Sequence, residues 1–230
     1  MAVAFRAAGT FATRGSPGTG ALSVGVPAGT TTGDLLLLAA TSYGGGSGVA
    51  INTPAGWTLI NTRTGWNSGD PQYTTALYYK VAGASEGAVS MTTAASSYLD
   101  AVTAGFTGVD TTTPIDVAGT WSADQSGSTV TIPSITTLTA NAWWVSIGVD
   151  AVGQLNASSF PAGWTQRART SITIAMYVVN TKALTAAGAT GTATYSRTGA
   201  SQTHILLGLA LRESGAGAGG ATFVPKITIV

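Results

Sequence analysis

Pro54-Ala55-Gly56-Trp57-Thr58 occurs a second time, letter for letter, as Pro161-Ala162-Gly163-Trp164-Thr165. The flanks repeat with it. Asp34-Leu35-Leu36-Leu37-Leu38 leads into the first copy at the same offset as Asn141-Ala142-Trp143-Trp144-Val145 leads into the second, 34 against 54 and 141 against 161. Downstream, Ala76-Leu77-Tyr78-Tyr79-Lys80-Val81 takes Ile174-Ala175-Met176-Tyr177-Val178-Val179 as its counterpart, and the first half carries a longer loop, Thr64 to Thr75. Each half closes on an apolar run, Ala101 to Val109 and His204 to Leu211. A duplication constrains architecture before any local signal does, so two similar units are expected in one chain.

The units read as all-β. Asp34 to Ser42 is an uninterrupted apolar run ended by Tyr43-Gly44-Gly45-Gly46, which suits a central strand covered on both faces better than a helix. In the repeated turn, Pro presets φ near −65° and Gly supplies a positive φ, placing Trp57 and Trp164 as equivalent core plugs. Leu22 to Val26, Leu77 to Val81, Val89 to Thr92 and Ala101 to Val109 continue the strand series; Val130 to Ile132, Ala142 to Asp150, Ile172 to Val179, Thr192 to Ser196 and His204 to Arg212 repeat it. Regular short strands with turn residues between them mark a sandwich or barrel. The expectation is an all-β, antiparallel, jelly-roll-like β-sandwich over residues 1–213, with halves at about 20–116 and 127–213 joined by Asp110 to Asp116. Two tandem sandwiches with the pentapeptides in separate cores are the alternative.

Charged residues make up 8% of the chain, a third of the usual roughly 25%. Thr, Ser, Gly and Ala fill the gap, and β-branched Thr favours pleated sheet. Nucleic acid is excluded as a partner: the net charge is +1, and the arginines are scattered apart from Arg167 and Arg169. The longest apolar runs, Leu35 to Ala40 and Ile205 to Leu211, fall well short of the roughly 20 residues of a membrane helix. Met1 to Arg6 has no secretory pattern, so the chain is expected to be soluble and made in the cytoplasm. With no cysteine there is neither disulfide nor thiolate metal site.

Catalytic chemistry finds no foothold. His204 is the single histidine, no Gly-x-Ser-x-Gly elbow accompanies it, and it is expected as a partly exposed residue at a strand start. The nine carboxylates fall at expected strand ends and loops, where Asp caps turns. No Asp-x-Asp-x-Asp-Gly loop is present, though calcium held by loop carbonyls and one Asp stays open. Catalytic, cofactor and metal residues are therefore expected to be absent. Carbohydrate binding needs only exposed aromatics with amides and hydroxyls; Trp66, Asn67, Tyr43 and Tyr73, in or beside loops of the first half, are the candidates. Beyond a Gly/Ala linker at 214–222 comes Phe223-Val224-Pro225-Lys226-Ile227-Thr228-Ile229-Val230. A lone apolar strand must dock on something, this subunit or a neighbour, with Phe223, Val224, Ile227 and Ile229 as the assembly contacts.

Gly33-Asp34-Leu35-Leu36-Leu37-Leu38, Pro54 to Thr58, Leu77-Tyr78-Tyr79-Lys80-Val81-Ala82-Gly83, and Phe106-Thr107-Gly108-Val109-Asp110 with Pro114-Ile115-Asp116 together resemble a β-sandwich family of virion proteins from tailed bacteriophages of actinobacteria. The resemblance spans roughly residues 20 to 213. Phe223-Val224-Pro225-Lys226 is also similar to the ends of phage minor tail proteins. The resemblance implies a non-enzymatic exterior component of the virion, assembled in the host cytoplasm, a capsid decoration or tail-associated protein. Its partners would be other virion proteins and further copies of itself, and a host-surface glycan is the alternative partner.

Overall fold

The computed structural model describes residues 1–44, 46, 48–67, 72–151, 156–171, 175–198 and 203–215. Every regular element among them is a β-strand. The first half holds β1 (Ala4–Ala8), β2 (Ala12–Gly18), β3 (Leu22–Val24), β4 (Leu35–Tyr43), β5 (Thr58–Trp66), β6 (Tyr73–Val81), β7 (Val89–Met91) and β8 (Ser97–Thr107). The second holds β9 (Ile115–Val117), β10 (Thr129–Ile132), β11 (Thr136–Thr137), β12 (Trp143–Ala151), β13 (Asn156–Ser159), β14 (Thr165–Ser171), β15 (Ala175–Ala183), β16 (Gly188–Ala189), β17 (Ala193–Thr198) and β18 (His204–Leu211). The two principal sheets have one topology, β1-β8-β4-β6-β5 and β9-β18-β12-β15-β14, and every strand pair is antiparallel. In the first half β3 pairs β7 in a small second sheet. The second half is covered instead by β10-β17-β13 and β11-β16.

Strand alternation sorts side chains into three cores. Along β4, Leu35, Leu37 and Ala39 point one way; Leu36, Leu38 and Ala40 point the other. The even set packs on Val24, Val89, Met91 and Trp57 inside the first half. The odd set meets Val145, Ile147 and Val149 of β12 and Leu207 and Leu209 of β18, in the largest core of the molecule. Trp144, Trp164, Met176 and Val178 fill a third core inside the second half. The chain is therefore a sandwich of sandwiches. The pentapeptides do lie in separate cores, yet the halves are fused through a core built equally from both. The packing is pseudo-two-fold: β1 lies against β14, and residues 119–124, which extend β9 along β18, lie against β5. There Asn61 Nδ2 donates to the Gly119 carbonyl at 3.1 Å and Arg63 pairs with Asp124.

The observed register corrects the equivalences expected from sequence. Ala82 N donates to the Asp34 carbonyl at 2.8 Å, and Leu184 N donates to that of Ala142 at 2.9 Å. Asp34 thus corresponds to Ala142, one residue beyond the expected Asn141. Asn141 corresponds to Gly33, and both take a positive φ, 57° and 87°. In β6 the slip is larger: Thr58 pairs Tyr79 and Thr165 pairs Thr181, so Lys80 matches Lys182 and Ala76 matches Val178, not Ile174. Equal spacing misled because the loops before each pentapeptide differ by one residue, and a one-residue slip exchanges the faces of a strand. The boundaries shift too. Residues 4–18 belong to the first half through β8, and the second half starts at Ile115 rather than about 127. These opening strands pair with partners distant in sequence, and their repeat survives only as Phe5 with Ile115 and Gly9 with Gly119. Finally, β5 and β6 extend to Trp66 and from Tyr73, so both ends of the expected Thr64 to Thr75 loop, Thr64 to Trp66 and Tyr73 to Thr75, are strand.

Candidate functional site

Each pentapeptide is a tight turn. Trp57 N donates to the Pro54 carbonyl at 3.1 Å, Trp164 N to that of Pro161 at 3.2 Å, and Gly56 and Gly163 sit at φ 76° and 82°. The turns drop Trp57 and Trp164 into their cores, each 8% exposed, and Trp164 meets Trp144 edge-on at 4.7 Å. The alkyl stems of Lys80 and Lys182 lie over the two glycines. A side chain at this φ costs about 1–2 kcal/mol. Gly163→Ala is expected to destabilise by about that much in urea unfolding, while Gly15→Ala, with open space around it, stays near neutral. Beside the first turn, Pro54, Trp57, Lys80 and Glu86 line a cleft of about 330 Å³. Lys80 Nζ reaches Glu86 Oε2 at 2.8 Å and Gly83 N donates to Oε1 at 2.6 Å. Partial burial pushes the Glu86 carboxyl up, but the Gly83 amide and Lys80 outweigh it and hold the carboxyl below its ordinary range. This is a satisfied loop anchor, with its charge already matched.

Three of the four carbohydrate-binding candidates come together, Trp66 and Tyr73 buried and Tyr43 half-buried beside them, while Asn67 is held to Asp124. Trp66 is fully buried at the end of β5, and its Nε1 donates to Thr75 Oγ1 at 3.0 Å. Tyr73, 2% exposed, stacks on it at 4.8 Å; Tyr43 approaches Tyr73 at 5.6 Å and stacks on Tyr98 at 4.7 Å with the planes 5° apart. Burial pushes the Tyr73 hydroxyl up to about 12, assisted by Tyr43, Asp100 and Asp150. Asn67 takes a positive φ of 65° and its N–H donates to Asp124 Oδ2 at 2.8 Å. A ring with both faces covered offers a sugar no stacking surface, so Trp66 and Tyr73 are core residues in this structure. The expectation that they lie at a loop surface fails because the strands run further than the turn residues at 64–75 suggest.

The ionisable residues show the same inward tendency. His204 is fully buried, not partly exposed, and its strand places it opposite Asp150. Asp100 lies within β8 and Asp150 near the end of β12, both fully buried. Asp150 pairs with Arg197 at 2.7 Å with both side chains sealed from solvent, and Asp100 Oδ2 accepts the Ala175 N–H at 3.2 Å across the shared core. Tyr177 OH donates to the Asp100 carbonyl at 3.0 Å, and burial raises the phenol well above its ordinary value. Elsewhere carboxylates cap turns. Asp110 accepts the N–H groups of Thr112 and Thr113, both at 2.8 Å, and Asp116 accepts those of Leu138 and Thr139 at 2.7 and 3.3 Å. Among the described residues no three His, Cys, Asp or Glu side chains gather as metal ligands.

The N-terminus lies beside Arg212 to Ser214, at the end of the described residues. Val109 and Glu213 form an antiparallel bridge, Asp110 N donates to the Arg212 carbonyl at 2.9 Å, Arg212 N to that of Pro114 at 2.9 Å, and Ser214 N to that of Gly108 at 2.8 Å. The Met1 amine donates to the Ser214 carbonyl at 3.0 Å. Beside this junction, Val3, Asn141, Trp143, Ala183, Leu184 and Glu213 line a cleft of about 370 Å³. The assembly candidates Phe223, Val224, Ile227 and Ile229 lie outside the described residues, as do residues 216–222. No protein-family model matches the chain, no curated protein matches it, and no solved structure matches it.

Proposed function

We propose that the protein is a non-enzymatic structural subunit of a bacteriophage virion, an exterior capsid decoration or tail-associated protein. The observation that carries this reading is the sequence of a rigid, duplicated body whose buried charges are matched, followed after a Gly/Ala linker by an apolar C-terminal segment. The motif resemblance points the same way. A body whose charged groups serve turns and cores, and which presents no cluster of reactive side chains among the described residues, suits a protein that occupies a position. Low charge and a short docking segment suit repeated copies in an assembly. Glycan binding, the alternative, would have to rest on the half-buried Tyr43 and Asn67, since Trp66 and Tyr73 are core residues.

Quantitative mass spectrometry of purified virions tests the reading. A ratio to the major capsid protein near one, or one per few subunits, is expected for a decoration protein, and a few copies per particle for a tail component; absence from the particle would refute both. Deleting Phe223 to Val230 is expected to abolish incorporation while leaving the body folded.

A further inference from the structure

We infer that the cleft beside the Val109–Glu213 bridge receives the C-terminal segment of a second copy of this protein, with Phe223 and Val224 against Val3, Trp143 and Leu184, and Lys226 near Glu213. This deepens the assembly reading above and rests on it. Among the described residues, Met1, Leu59 and Leu138 are the exposed large hydrophobics, at 85%, 42% and 60%, and they belong to different elements. The described residues therefore form no broad apolar patch of the kind that holds obligate partners. The segment beyond residue 215 carries the apolar residues that contact between copies would use, Phe223, Val224, Ile227, Ile229 and Val230.

The cleft matches that segment in chemistry. Its floor is carbon: Val3 is 4% exposed, and Trp143 and Leu184 are half-buried. The carboxylate in its lining is Glu213, the Arg167 guanidinium lies over the Trp143 ring at 5.3 Å, and the segment carries one cation, Lys226, three residues after Phe223. Pro225 takes an N–H from the middle of the segment, which suits a groove that recognises side chains better than a sheet edge that engages each amide. The seven residues 216–222 can span up to about 25 Å, enough to leave the subunit and reach another. Each copy then gives one segment and receives one. That is a heterologous contact, which closes into rings or runs on as rows.

Complementation between full-length variants tests this by sedimentation over a range of concentrations. Ala183→Arg fills the cleft from an exposed position and leaves the segment intact; Phe223→Asp spoils the segment and leaves the cleft open. Wild type is expected to self-associate, each variant alone to stay monomeric, and their mixture to give a one-to-one dimer and nothing larger. Glu213→Lys should weaken association on the order of tenfold and Lys226→Glu in the same chain should restore it, a readout independent of how Ala183→Arg folds. A monomeric wild type, a monomeric mixture (the result of docking within one chain), or variants that assemble like wild type would overturn the inference. Virion copy number is a separate measurement: complementation by a protein absent from virions would keep the docking and refute the virion reading.

Discussion

Trp66→Ala is expected to lower the unfolding free energy by about 3–5 kcal/mol, the range for truncating a buried aromatic to alanine. The indole is fully enclosed, stacked on Tyr73 at 4.8 Å, and its N–H is spent on Thr75 Oγ1. Thr75 keeps its 2.8 Å hydrogen bond to Thr41, so the loss is chiefly the cavity and the ring contacts along Tyr73, Tyr43 and Tyr98. Trp66→Phe, which keeps most of the volume, should cost much less. Urea unfolding of both variants checks this, alongside binding to a panel of glycans. If Trp66→Ala kept full stability and lost sugar binding, the ring would face solvent and the glycan reading would return.

Arg197→Met is expected to cost about 3–5 kcal/mol for a different reason: it leaves a buried carboxylate without its cation. Asp150 and Arg197 are both sealed from solvent at 2.7 Å, and Arg197 Nε also donates to the Gly127 carbonyl at 2.6 Å. Most of the penalty belongs to the stranded charge, not to lost attraction, so adding Asp150→Leu should recover much of it. A double-mutant cycle in urea separates the two contributions. Single-variant losses below about 1 kcal/mol, the scale of surface pairs, would mean that water reaches this site.

Strand identity was legible wherever apolar runs met glycine. Leu35 to Ser42 announced a central strand buried on both faces, and β4 is paired on both sides and enclosed on both. The pentapeptide announced two equivalent core tryptophans, and Trp57 and Trp164 are that. Less visible was that the odd and even faces of β4 serve different cores, because an all-apolar run does not say what covers each face. Of the candidate site, the grouping of Tyr43, Trp66 and Tyr73 was legible and its direction was not: a period of two survives in Thr62, Thr64 and Trp66, but the register shift between Thr64 and Trp66 turns the indole inward. His204 and Asp150 looked like surface residues because polarity is the usual proxy for exposure. Their surroundings come from distant sequence: His204 lies opposite Asp150 across two paired strands, and the cation of Asp150, Arg197, comes from another sheet.

Seen as mechanics, the junction at Arg212 to Ser214 has a use. A pull on the C-terminal segment enters the body at Glu213, where the bridge to Val109 and the links from Arg212 to Pro114, Thr113 and Asp116 pass it to both halves together. Beyond them the tension runs into β18, which is held along its length by β12 and at its C-terminal end by β9. A subunit tethered at this point would resist being peeled from a particle by its own leash.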